Sequence, residues 1–265
     1  MTDPHRDAEF ADTRDHLLDS PFFGIVSLDF LVTGEEHQCP YLPSRQAREE
    51  LFMAEDLQAE LYHDLMDHGF RRSGMIFYRP VCRGCRECRA LRIPASEFTP
   101  TKSQRRVLRK NEDIDVVARV PRFTPEKFKI YSDYLMVHHG TAEGRTPEEF
   151  RRSLYASPVA TLEFEYRVRG RLVAASIADI SSRSLSSVYV YYDVRDSVRG
   201  LGTLSALKEI SFCADHGIPF YYLGFCVTDC PAMSYKARFK PHELLDPDLK
   251  WVRNPVPARP SLTAE

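Results

Sequence analysis

Between residues 44 and 69 apolar side chains recur at three- and four-residue steps, at Leu51, Ala54, Leu57, Leu61, Leu65 and Met66. That spacing predicts one helix, capped by Ser44 and closed by Gly69. Short strand-like pieces at 75–78 and 90–93 flank a cysteine-rich turn, so the first part of the chain reads as a small α+β unit. The texture changes around 111–125. A strand is expected over 115–120, and Thr124-Pro125-Glu126 is a strong helix start, followed by Phe128, Tyr131, Leu135 and Met136 on one face. Thr146-Pro147-Glu148-Glu149 opens another helix. Beyond residue 160 the period shortens to two. Strands are expected over 161–169, 172–180 and 185–192, then a helix over 201–216 closed by Gly217, then a strand over 219–223. The boundary near 115 divides the chain into residues 1–115 and 116–265.

That second half therefore runs β-β-β-α-β, the order of the N-acetyltransferase-like (GNAT) α/β fold. Arg199-Gly200-Leu201-Gly202-Thr203 falls at the strand-to-helix turn where that fold exposes backbone amides.

Composition agrees with a folded globular chain: 265 residues, 43% hydrophobic and 28% charged, with 18 prolines and 12 glycines. No apolar run approaches the ~18 residues that span a bilayer, and the start is acidic where a signal peptide would be basic and then apolar. The expectation is a soluble cytoplasmic protein with no membrane partner. The net charge of −2 conceals a sharp asymmetry. Residues 1–70 carry 4 basic and 16 acidic side chains, whereas residues 71–110 carry 12 basic and 2 acidic ones. Such a basic block attracts a polyanion at long range and holds it through phosphate contacts.

Of 7 cysteines, three form Cys82-Arg-Gly-Cys85-Arg-Glu-Cys88, a spacing that lets neighbouring thiolates turn onto one cation around a tight knuckle eased by Gly84. Cys39, just before Pro40-Tyr41-Leu42-Pro43, is the candidate fourth ligand. Zinc fits this set best, and an iron–sulfur cluster accepts the same four thiolates. Cys213 reads as a core residue of the 201–216 helix. Cys226 and Cys230 lack a third ligand at a convincing interval, and His138-His139 reads as a helix end.

Several phrases are specific when taken jointly: Cys39-Pro-Tyr-Leu-Pro, the run from Tyr62 to Gly74, Tyr78-Arg-Pro-Val-Cys82 through Cys88, Ser103-Gln-Arg-Arg-Val-Leu-Arg-Lys-Asn-Glu-Asp113, and the run from Tyr222 to Lys236 followed by Phe239-Lys-Pro-His-Glu-Leu-Leu245. Together they resemble the bacterial aspartate/glutamate leucyltransferases, relatives of the arginyl-tRNA–protein transferases, over roughly residues 20–250. One departure is Arg89-Ala90, where a proline often follows the third cysteine. The resemblance implies an enzyme that moves leucine from leucyl-tRNA to an N-terminal Asp or Glu of a protein, creating an N-degron for degradation. It also implies a cysteine-rich N-terminal domain and an acyltransferase-like C-terminal one. DNA is not an expected partner, and oligomeric state and natural targets stay open.

The chemistry asked of such a site is mild, because an aminoacyl ester is already activated and an α-amine near pKa ~8 is partly neutral at physiological pH. Positioning and oxyanion donors dominate. The expected cradle is the splayed strand at Tyr191-Tyr192 and the facing strand at Gly224, with Tyr235 as a donor or stacking surface and Asp229 orienting the amine. Reading an acidic residue calls for a guanidinium, for which Arg71, Arg72 and Arg79, beside Ser73, are the candidates. Lys102, Arg105, Arg106, Arg109 and Lys110 share helical spacing and are expected to meet tRNA phosphates, as are the amides at Gly200 and Gly202 and the ammonium of Lys236. Arginyl transfer is the first alternative. A coenzyme-A-dependent acetyltransferase is the second, although its pyrophosphate loop would carry a basic residue where Ser197 stands.

Overall fold

The structure is a computed structural model that describes residues 31–140 and 146–253. Fourteen strands are described: β1 (Val32–Thr33), β2 (His37–Gln38), β3 (Gln46–Ala47), β4 (Glu49–Met53), β5 (Arg71–Ser73), β6 (Ile76–Pro80), β7 (Arg89–Pro94), β8 (Ile114–Arg119), β9 (Thr161–Val168), β10 (Arg171–Ile180), β11 (Ser184–Tyr192), β12 (Phe220–Cys226), β13 (Glu243–Leu245) and β14 (Trp251–Arg253). The longer helices are α1 (Ala59–Asp67), α2 (Lys102–Lys110), α3 (Pro125–His139) and α4 (Leu201–Asp215). Among the described residues no helix is long and apolar enough to cross a membrane.

The helix expected over 44–69 is a helix only in its second half. Glu49–Met53 forms β4 instead, because in this run Glu50 and Phe52 face inward while Leu51 and Met53 do not, an alternation of two laid under an accidental spacing of three. Ser44 therefore caps nothing, whereas Gly69, at φ +83, does follow the end of α1. The Thr124 cap, with proline at the first helical turn of α3, forms as expected, and the β-β-β-α-β order appears as β9, β10, β11, α4 and β12.

These strands belong to an eight-stranded sheet ordered β14-β13-β7-β12-β11-β10-β9-β8. It draws on both sides of residue 115, since β7 lies between β12 and β13. β10 is apolar almost throughout because both of its faces are covered. Val173, Ala174 and Ala178 pack in the core that includes α4, whereas Leu172, Ala175 and Ile177 pack with Tyr131, Leu135 and Phe150 on the other side. A fully buried Glu209 pins α4 to the sheet, accepting hydrogen bonds from Ser176, Ser205 and Tyr221.

The smaller four-stranded sheet, β1-β4-β6-β5, packs with α1 around Phe52, Phe70 and Phe77. Tyr222 of β12 shares that core, so the small sheet is fixed to the large one. The mixed α+β class expected from the sequence holds.

Candidate active site

α4 is a crossover that returns the chain parallel to β11, but β11 and β12 pair for only three residues: Ser184 with Phe220, Leu185 with Tyr221 and Ser186 with Tyr222. Both strands continue past that point without pairing. At the split, β12 has a register irregularity against β7 between Tyr222 and Gly224, and Gly224 sits at φ +90. The position suits glycine twice over. Its backbone lies in the left-handed region, and a Cβ there would stand 3.2 Å from Lys236 Nζ and 3.7 Å from Arg71 Nη2.

Arg71 and Arg72 are consecutive on β5 and so point to opposite faces. Arg72 makes a two-pronged pair with Asp179, Nε to Oδ2 at 2.6 Å and Nη2 to Oδ1 at 2.7 Å, and both side chains are fully buried. Its Nη1 donates to the carbonyls of Gly74 and Ala156, and Asp179 also accepts from Tyr62 and Thr161. Every nitrogen of that guanidinium is committed to the fold. Arg79 is held likewise, with Nε and Nη2 both on Glu50 Oε2 and its guanidinium over the Phe70 ring. Ser73 is exposed on β5.

Arg71 differs. It is only 6% exposed, and its Nη2 donates to the carbonyl of Ser187, which lies just past the last β11–β12 pair. Its Nη1 is buried with no hydrogen-bond partner, one of two such side-chain atoms among the described residues, Trp251 Nε1 being the other. Beside it, Lys236 donates to the Phe225 carbonyl at 2.9 Å and meets no carboxylate among the described residues. Burial, and then the charge of Arg71, push the Lys236 ammonium down to about 8. Two cations side by side, with a spare donor and no acid, leave an uncompensated positive site that an anion would relieve.

Other expected site residues scatter around this pair. Tyr191 is fully buried in the α3 core against Tyr131 and Phe150, its hydroxyl 3.5 Å from that of Tyr155, and so does not reach the split. Tyr192 and Tyr235 are partly exposed, and Asp229 is exposed in the 227–230 turn. Lys102, Arg105, Arg106, Arg109 and Lys110 are all exposed on α2, which carries a Thr101/Gln104 capping box. Gly200 takes the left-handed cap position before α4, with the Cγ atoms of Val107 near its would-be Cβ, and Gly202 lies in open space. Around that turn Arg199 pairs with Asp113 and Asp196, and Arg171 and Arg195 pair with Asp193, so its guanidinium groups are already matched by carboxylates. A coenzyme-A pyrophosphate would find acids there.

Gly84 at φ +67 turns the Cys82–Cys85 segment, and the Cys85 amide donates to the Cys82 carbonyl. The Cys39 sulfur accepts from the Leu42 amide and the Cys82 sulfur from the Arg48 amide, each at 3.4 Å, and Arg45 Nη1 donates to Cys85 Sγ at 3.0 Å. Burial pushes the Cys88 thiol up to about 12, assisted by Cys82, Cys39 and Cys85 nearby. The four sulfurs thus share one neighbourhood with donors suited to thiolates. Among the described residues, however, no group of three or more His, Cys, Asp or Glu converges as a bound metal requires.

The family model for the N terminus of arginine-tRNA-protein transferase matches residues 37–106, and that for its C terminus matches residues 126–246. An aspartate/glutamate leucyltransferase of Pseudomonas putida is 35% identical over 232 residues, covering 86% of this chain and 97% of that protein. One of Pseudomonas aeruginosa is 34% identical over the same shares. Among solved structures, L-PGS from Bacillus licheniformis is similar with a TM-score of 0.42 at 14% identity, over 67% of this chain and 52% of that one. A GCN5-related N-acetyltransferase-like protein from Streptococcus suis has a TM-score of 0.31 at 14% identity, over 92% and 96%. The likeness to the leucyltransferases spans most of the chain, with one family model covering Arg71 and the other Lys236, and the chain belongs to the aspartate/glutamate leucyltransferases of the arginine-tRNA-protein transferase family, which makes it an aminoacyltransferase.

Proposed function

We propose that this enzyme transfers leucine from leucyl-tRNA to proteins that begin with Asp or Glu, and that Arg71 and Lys236 together hold the acidic side chain of the acceptor. The observation that carries the reading is the buried, unpartnered Nη1 of Arg71 beside a lysine that meets no acid among the described residues, at the point where β11 and β12 part. A carboxylate there would accept from both cations in place of water. The acceptor α-amine would then lie a few ångströms away, within reach of an ester carbonyl laid along the split. Backbone amides left unpaired by the split are the natural donors to the oxyanion. Attack forms the C–N bond, the ribose hydroxyl leaves, and the amine's proton departs with it or to water.

The same reading gives α2 the role of docking the tRNA backbone, and makes the product an N-degron formed in the cytoplasm. Zinc held by Cys39, Cys82, Cys85 and Cys88 is the brace we favour for the N-terminal unit, and an iron–sulfur cluster is the other occupant the donor set suits. Either would stiffen the segment leading into β7.

The test uses the full chain with labelled leucyl-tRNA or arginyl-tRNA and peptides starting with Asp, Glu, Asn or Gln. Transfer of leucine to the Asp and Glu peptides, lost in Arg71→Met, is expected. Equal use of Asn and Asp peptides would overturn the carboxylate grip, and transfer from arginyl-tRNA alone would overturn the choice of donor.

A further inference from the structure

Tyr134 and His138 lie one turn apart on α3, their ring centroids 4.3 Å apart. Tyr192, the last residue of β11, meets both rings edge-on, at 4.9 and 5.5 Å. His139 Nε2 lies 3.3 Å from the Tyr189 hydroxyl and extends the group. Burial, then Tyr192 and Tyr235 beside it, push the Tyr134 hydroxyl up to about 12, so Tyr235 belongs to the same neighbourhood.

The nearby cluster of Tyr131, Phe150 and Tyr191 is closed, with Tyr191 and Phe150 fully buried. This group is open: His138 and His139 are exposed, and Tyr134, Tyr192 and Tyr235 are only partly covered. Among the described residues the hydroxyls of Tyr134, Tyr192 and Tyr235 make no hydrogen bond. Such a surface offers π faces with unused polar rims, which is what an unpaired nucleobase requires.

Its position fits a route. Lys110 and Asn111, at the end of the basic helix α2, bond to the carbonyls of Val198 and Arg199 in the turn before α4, and α3 packs on that same turn. On the other side, Tyr235 directly precedes Lys236 of the cation pair. The aromatic group therefore adjoins both the surface suited to RNA phosphates and the cation pair suited to the acceptor.

We infer that the terminal nucleobase of the donor RNA stacks on the platform formed by Tyr134, His138 and Tyr192, with the Tyr235 hydroxyl available to its sugar or base edge. The inference rests on the aminoacyl-transfer reading above and extends it to the donor. Stacking of this kind tolerates any base, because each has a π face, and the loss of one stacked base or ring corresponds to roughly a 5- to 100-fold change in affinity.

The experiment pairs transfer assays with leucyl-tRNA carrying fluorescent 2-aminopurine at its last position. Wild-type protein should quench the fluorophore saturably. Tyr134→Leu and Tyr192→Leu should lose the quench and raise KM for leucyl-tRNA about 5- to 100-fold without changing KM for the peptide, whereas the Phe variants, which keep the ring, should retain both. A donor abasic at its last position should bind wild type and Tyr192→Leu equally. Quenching by the Leu variants at the wild-type level, or full affinity of wild type for the abasic donor, would overturn the platform. If the Leu variants unfold, the exposed His138→Ala decides by the same readouts. A wild-type protein that consumes no leucyl-tRNA would sink the transfer reading itself, a result separate from failure of the platform.

Discussion

Replacing Arg72 by alanine should unfold this protein more readily without changing what it recognises. Both Arg72 and Asp179 are fully buried and joined by two short charge-assisted bonds. Truncating one member strands a carboxylate in the interior, with only the Tyr62 and Thr161 hydroxyls to solvate it. The cost of breaking such a pair is about 3–5 kcal/mol. For a chain of this size each kcal/mol moves Tm by roughly 2–4 °C, so a drop on the order of 10 °C is expected. Removing both charges, as in Arg72→Met with Asp179→Leu, should restore much of the loss, because the stranded charge disappears. The assay is urea or thermal denaturation of the single and double variants, followed by kcat/KM for Asp- and Asn-starting peptides at a temperature where all are folded. An Arg72→Ala enzyme of wild-type stability that no longer prefers Asp would refute the assignment of Arg72 to the fold and of Arg71 to the substrate.

The Lys236 ammonium, lowered to about 8 by burial and by Arg71, loses its charge as pH rises through that value. The grip on an acidic acceptor is therefore fullest well below about 8 and fades above it. The ratio of KM for Asp peptides to KM for Asn peptides, in which the titration of the acceptor α-amine cancels, should rise up to about tenfold between pH 7 and 9 and stay constant in Lys236→Met. Arg71, Cys226, Cys230 and Cys88 are the charged or titratable groups around that nitrogen, and Cys226→Ser provides the control for thiol titration. Gly224→Ala forces a side chain into φ +90 against Lys236 and Arg71. A stability loss of about 1–3 kcal/mol is expected, with a disproportionate rise in peptide KM that steady-state kinetics would expose. Replacing Arg106 and Arg109 on the exposed face of α2 by alanine should weaken leucyl-tRNA binding and flatten its dependence on salt. The slope of log affinity against log salt should fall by roughly 0.7–0.9 for each phosphate no longer neutralised, as measured by filter binding across a salt series.

The elements that follow a local period were legible in the sequence. β9, β10, β11, α4 and β12 emerge from spacing and turn residues, and the Thr124 and Gly217 positions from capping rules. What a local pattern hides is partnership. Arg71 and Arg72 are chemically identical neighbours, and only Asp179, 107 residues later, decides that one is spent on the interior and the other is not. Arg79 is settled likewise by Glu50 on the adjoining strand. β4 was hidden because a five-residue strand beside a helix can mimic helical spacing, and Tyr191 and Tyr192 exchange roles on opposite faces of β11, one enclosed and one open. Lys236 was visible as a cation, but its closeness to Arg71 depends on the Gly224 irregularity, which no local pattern announces.

The intercalation of β7 between β12 and β13 makes the two sequence segments inseparable as working parts. Cutting the chain near residue 115 would strip β12 and β13 of their hydrogen-bonding neighbour and expose two apolar edges to self-association. It would also part the two cations, one contributed by each fragment. Neither piece would inherit half of the chemistry, and changes on one side of the seam must be tolerated by the other.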